Sequence, residues 1–333
     1  MKNLFSIILL TLISFILTGC SGKKLTVRTL HPSQIENEKI NSVKIERFRN
    51  DDVNQTLSLE NKIANKIVDN KRVFTIKNDI FGTDGIITGE VLNSSVEYEP
   101  FYRSEIDYSR CRFYRYDEKS KTKHCIEYVI RYIPCDNITY NVTTNVQIFK
   151  PVSNNLIFSK TYDKSSYDSI CYDRPYYYPT YPLPHMRISS DKYRVNSQIA
   201  NDIANDIIDD ISPHYVYFNI NIIEELDDEN PIYTKDQKNR FENIVNLIED
   251  TNLDIAKSGL ETLDKELNGK SFEVIYNLAL IYEAYGKLEI ANKLYNQAKA
   301  LTLNIEYLDL INYGINRTTI NLQEKIKAKS QLP

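Results

Sequence analysis

The chain has 333 residues, 42% of them hydrophobic, with 45 acidic against 41 basic side chains and a formal net charge of −4. No basic footprint of the kind that selects DNA or RNA is present, so nucleic acid is excluded as a partner. With only 9 glycines and neither a GxxxxGK nor a GxGxxG run, the common phosphate-cradling loops are excluded as well.

The chain opens with Lys2 and an apolar stretch from Leu4 to Leu17, too short to span a bilayer as a helix and built like a secretory signal. It closes on Leu17, Thr18, Gly19 and Cys20, the pattern of a bacterial lipobox. Residues 1–19 are therefore expected to be a lipoprotein signal peptide, and Cys20 the lipidated first residue, a membrane anchor. Serine at position 21, where aspartate would favour the inner membrane, favours the outer membrane and its periplasmic side.

Residues 43–48, VKIERF, alternate as a half-buried strand, and a turn follows at Asn50, Asp51 and Asp52. Leu59, Ile63 and Ile67, with Ala64 and Val68, make one apolar stripe and predict an amphipathic helix from about 55 to 70. Residues 72–77 and 85–98, rich in β-branched and aromatic residues, predict the next strands. Residues 141–149 and 155–162 form a hairpin pattern around PVSNN. From Lys192 to Ile211 a second stripe (Val195, Ile199, Ile203, Ile207) stands opposite Asp202, Asp206, Asp209 and Asp210, which read as a solvated face; Pro213 ends that helix. A strand is expected at 215–223, then the acidic, proline-closed linker ELDDENP. The fold class that follows is α+β: a mixed sheet packed by two helices over residues 20–228, and a helical domain over 229–333.

Two stretches, about 99–140 and 163–191, exceed ordinary connections and interrupt this plan with tyrosine, arginine and proline. They read as inserts, or as extensions of the main hairpins. They hold Cys111, Cys125, Cys135 and Cys171. In an exported chain these four read as two disulfides with the pairing open, the alternative being free thiols. Cys111, Cys125 and Cys135 lack the spacing of a zinc site even with His124 beside Cys125, so no metal is expected.

From 237 onward the composition turns helical. Ala279, Tyr282, Gly286, Ala291, Tyr295 and Ala298 follow one another at spacings that match a tetratricopeptide pattern, in which small Ala279 and Ala291 let two antiparallel helices approach and Gly286 makes the turn. A weaker copy lies thirty-five residues earlier at Ile244, Ala256, Leu260 and Leu263. Residues 305–328 would be the capping helix of the stack.

The succession INSVKIERFRND, NKIANKIVDNKRVFTI, TDGIITGEV and YNVTTNVQIFKPVSNNLIFSKTYD, followed by a long helix, resembles the bacterial envelope lipoproteins related to the curli secretion channel, the penicillin-binding-protein activators and the amino-terminal domain of TolB. The resemblance covers roughly residues 40–212. It departs from the family pattern at residues 153–155, where Ser-Asn-Asn replaces a glycine turn, and in the cysteine-containing inserts. In the curli channel, membrane-crossing hairpins resemble additions at these two places. Here the first insert carries charge on both alternating positions and the second is rich in proline, features that disfavour a transmembrane hairpin and rank a secretion pore below a soluble scaffold.

His31, His124, His185 and His214 are scattered, and neither HExxH nor GxSxG occurs, so no catalytic residue, cofactor or metal is assigned. Asp227, Asp228 and Glu229 lack the pattern of a calcium loop and read as linker. The expectation is a non-catalytic lipoprotein scaffold. Its expected partners are the membrane through Cys20, an envelope protein or peptide through the helical repeats, and further copies of itself. An enzyme with an unrecognised site is the remaining alternative.

Overall fold

The computed structural model describes residues 22–35, 39–172, 188–227 and 232–333. Cys20, the signal segment, His185, the proline-rich run after Tyr172 and the centre of the acidic linker lie outside the described residues. In chain order the strands are β1 (Lys24–His31), β2 (Ser42–Ile45), β3 (Ile67–Val68), β4 (Lys71–Arg72), β5 (Thr75–Ile76), β6 (Gly85–Asp117), β7 (Thr122–Phe149), β8 (Leu156–Cys171) and β9 (His214–Asn221). The helices are α1 (Gln55–Asn65), α2 (Ile188–Ile211), α3 (Lys235–Glu249), α4 (Leu253–Glu266), α5 (Phe272–Ala284), α6 (Leu288–Lys299) and α7 (Ile305–Gln331). The fold is α+β.

The described residues form two compact units, one from those between Ser33 and Pro213 with the last three residues, the other from those up to Pro32 with those between His214 and Ser330. The first is a mixed sheet in the order β5-β2-β6-β7-β8, with β2 parallel to β5 and β6, and β6, β7 and β8 antiparallel. The stripes of α1 and α2 supply its core, with Leu59, Ile63, Ile203 and Ile207 fully buried. Gln55, also buried, donates to the Ala200 carbonyl of α2 at 3.0 Å and accepts from Thr144 of β7 at 3.3 Å, joining both helices to the sheet. α1 ends at Asn65, short of the expected residue 70, because Asp69 and Asn70 adopt positive φ and turn the chain into the small β3–β4 hairpin. Ile67 is thereby exposed while Val68 stays buried.

The second unit differs from the division expected near residue 230. β9 does not join the main sheet; it pairs antiparallel with β1, a strand absent from the sequence reading, in register from Lys24↔Asn221 to His31↔His214. The cause is apolar. Leu25, Val27, Ile220 and Ile222 pack against Phe241, Val245, Leu260, Val274 and Ile281 of the helices, so strands and helices share one core.

In the helices, Ala279, Ala291, Tyr295 and Ala298 are buried, as are Ala256, Leu260 and Leu263 one repeat earlier. Gly286 takes φ 69° at the α5–α6 turn, a conformation that suits glycine. α3 begins with a reciprocal capping box between Thr234 and Gln237.

Candidate interaction surfaces

β6 and β7 continue beyond the sheet as a two-stranded ribbon. The β7–β8 ladder stops at Cys135↔Cys171, a pair that is also disulfide-bonded, with Cα atoms 4.0 Å apart. At this root Tyr172 donates its amide to the Pro134 carbonyl at 2.9 Å and its hydroxyl to Asp136 at 2.8 Å. Beyond it the ribbon is two strands wide and stapled again by Cys111–Cys125. The first expected insert and the part of the second up to Cys171 are therefore extended hairpins of the main sheet, while residues 188–191 already belong to α2. Isolated two-stranded ribbons bury too little to hold themselves firmly, which is the physical reason the staples fall here.

Pairing divides the ribbon into two faces. Tyr102↔Pro134, Ser104↔Tyr132 and Ile106↔Ile130 share one; Arg103↔Ile133, Glu105↔Arg131 and Asp107↔Val129 share the other. Tyr128 continues the first face by alternation along β7, and Tyr108 packs edge-on against it with ring centroids 5.1 Å apart. The large residues of this face are open to solvent, from 36% exposed for Tyr128 to 72% for Tyr108. On the opposite face Glu105 pairs with Arg103 at 2.7 Å and Arg131 at 3.0 Å, and the hydrogen bond from Arg131 holds its carboxyl below the usual range. The sequence reading placed charge on both faces. The structure bears this out in the outer ribbon, where Arg115↔His124 and Tyr116↔Lys123 lie on alternate faces, and corrects it nearer the root: from Tyr102 to Tyr108 and from Tyr128 to Pro134 the charges keep to one side, and Arg110 and Arg112 fall in a stretch of register shifts between Asp107 and Tyr114. Strict alternation cannot show a bulge, which is why this surface was missed.

The helical unit offers the second surface, and it is already filled. The chain leaving β9 runs through the helices as an extended segment with Ile222, Ile223 and Leu226 buried. Asn277 donates to the Ile223 carbonyl at 2.8 Å and accepts from its amide at 3.1 Å. The Tyr276 hydroxyl donates to the Asn221 carbonyl at 2.9 Å, and Glu273 accepts from the Asp227 amide at 3.2 Å. This is how a groove reads an extended peptide, by backbone polar groups with apolar side chains inserted. Part of the surface of α5, in the helices expected to bind a partner, thus holds the chain's own segment after β9.

The remaining candidates do not converge on one chemistry. His31 and His214 face each other across β1 and β9, whereas His124 sits on the ribbon, bonded to Thr122 at 2.8 Å. The acidic row of α2 is not merely solvated: Asp209 pairs with Lys66, Asp206 with Lys164, and Asp210 with Lys160 and the Tyr162 hydroxyl. Burial, with Asp210 beside it, raises the Tyr162 pKa, so that hydroxyl stays a donor. Among the described residues no group of three or more His, Cys, Asp or Glu is placed to hold a metal ion, and no helix is long and apolar enough to cross a membrane.

No protein-family model matches the chain, and no curated relative matches it. Among solved structures it is similar to a minor lipoprotein from Acinetobacter baumannii, at 12% sequence identity and a TM-score of 0.25, over 52% of this chain and 90% of that chain.

Proposed function

We propose that this chain is a non-catalytic bacterial lipoprotein, anchored through Cys20 to the outer membrane on its periplasmic side, that works as a scaffold by binding an envelope protein. The observation that carries the reading is the exposed apolar face of the ribbon, built from Tyr102, Ile106, Tyr108, Tyr128, Ile130 and Tyr132. Tyrosine gives large contact area with a polar tip at low entropic cost, a composition suited to protein interfaces. Because α5 already holds the chain's own segment after β9, the partner is assigned to the ribbon rather than to the repeats. The test replaces Tyr102, Ile130 and Tyr132 by serine and compares crosslinked complexes recovered from intact envelopes. Loss of the wild-type adducts with membrane attachment retained supports the reading; unchanged adducts oppose it.

A second reading, the subunit of a curli-type secretion pore, is favoured by the same separation of faces. One apolar and one charged side is the pattern of a membrane-crossing β-hairpin, here kept over seven residues of each strand, Tyr102–Tyr108 and Tyr128–Pro134, against the roughly ten that a span needs. Ion conductance by the purified protein in planar bilayers would select this reading over the scaffold.

A further inference from the structure

Lys23 is fixed to the helical unit on three sides. Its amide donates to Glu224 at 2.8 Å, its carbonyl accepts from the Ile222 amide at 2.9 Å, and its ammonium group pairs with Glu249 at 3.2 Å and bonds Asn246 near the end of α3. Lys24 then begins β1, whose Leu25 and Val27 lie in the core of that unit. Only three residue steps separate Cys20 from Lys23, so with about 3.8 Å per step the two Cα atoms are no more than about 11 Å apart by any path. We infer that the surface of the helical unit around Lys23, Glu224 and the α3–α4 turn at Asp250 lies against the lipid headgroups. The inference rests on the proposed lipid anchor at Cys20 and adds to it which surface that anchor holds to the bilayer.

The geometry follows from the absence of a spacer. A long flexible lead would let any surface of the helical unit approach the membrane, whereas a lead of three residues tied into a buried strand keeps the surface around Lys23 within reach of the anchor. Within this unit β1 carries the chain away from the anchor over eight residues to His31, roughly 24 Å at the rise of an antiparallel strand. The surface beside the anchor bears Glu224, Glu249 and Asp250 against Lys23 and Lys24, and so has no basic excess to attract anionic lipid. Attachment must then come from the acyl group. The unlipidated chain should stay off vesicles containing phosphatidylglycerol.

The experiment uses the mature, full-length lipidated protein on phosphatidylcholine–phosphatidylglycerol vesicles carrying a nitroxide on a fraction of the headgroups. A fluorophore is attached at Asp250→Cys in one sample and at Gln323→Cys in another, both exposed positions of the helical unit, with the disulfides left oxidised and circular dichroism confirming the fold of each variant. Gln323 stands in α7 beside Asn321, at the His31 end of β1. Quenching several-fold stronger at residue 250 than at residue 323 is expected. Equal or reversed quenching on an acylated, vesicle-bound protein overturns this inference and leaves the anchor intact. No acyl mass on Cys20, with no vesicle binding, overturns the anchor reading and this inference with it.

Discussion

Asn277 grips Ile223 by both of its backbone polar groups, donating to the carbonyl at 2.8 Å and accepting from the amide at 3.1 Å, with both residues buried. This pair makes α5 a holder for the chain's own segment after β9. Asn277→Leu keeps the volume and removes both bonds, leaving a buried amide and a buried carbonyl unpaired. At about 1–3 kcal/mol for each of the two orphaned groups, the helical unit should lose about 2–6 kcal/mol. Urea unfolding followed by circular dichroism checks this; a loss below about 1 kcal/mol would mean that water replaces the clasp.

Arg317 and Glu283 form a buried pair in the same unit, bonded at 2.7 and 2.8 Å, with the Tyr295 hydroxyl donating to Glu283 at 2.8 Å. Burial first, then the charge of Glu283, pushes the Tyr295 hydroxyl well above its ordinary pKa, so it remains a donor. Arg317→Met alone should cost about 3–5 kcal/mol, because it strands a buried carboxylate. Adding Glu283→Leu should restore much of the loss, since no charge is then left unpaired. The midpoints of denaturant unfolding for the two variants give the comparison.

The two disulfides close loops of different length, with sequence separations of 14 and 36. Chain entropy assigns them about 3 and about 4 kcal/mol respectively. Cys111→Ser with Cys125→Ser should loosen the outer ribbon alone and admit protease near Asp117. Cys135→Ser with Cys171→Ser should release the ribbon at its root and open the β7–β8 ladder. Limited proteolysis with mass mapping separates the two patterns.

His31 sits with His214 across the strand pair and with Asn321 and Glu324 on α7, its Nε2 3.1 Å from Asn321 Oδ1. Burial lowers its pKa from 6.5 and His214 adds to that, while Asn321 and Glu324 work the other way. The unfolded imidazole therefore takes up its proton first. This contribution to stability is level above pH 6.5 and falls as the pH drops below it. His31→Gln should flatten the fall in unfolding midpoint between about pH 7.5 and about pH 5.5. An identical slope in both proteins would show that His31 does not carry it.

Much of the fold was legible because its signals are local. The stripes of α1 and α2, the hairpin around PVSNN, and the small residues at Ala279 and Ala291 all declare themselves within a few turns or one alternation. What was not legible depends on distant partners. β9 reads as a strand, but nothing near it says that it pairs with β1, almost two hundred residues away, or that the segment after it fills the repeat. The ribbon face was hidden for another reason, since Arg110 and Arg112 break the alternation on paper and the register shifts that absorb them exist only in the paired structure. Cysteine spacing could group the four thiols but could not choose among three pairings.

The central claim, that the apolar face of the ribbon binds an envelope protein, is tested most directly by a photo-crosslinking residue placed at Tyr132 and, in a separate strain, at Arg131 on the opposite face. In intact cells the account predicts a discrete protein adduct from position 132 and little or none from position 131. Adducts to lipid from position 132, or equal protein adducts from both faces, would contradict it.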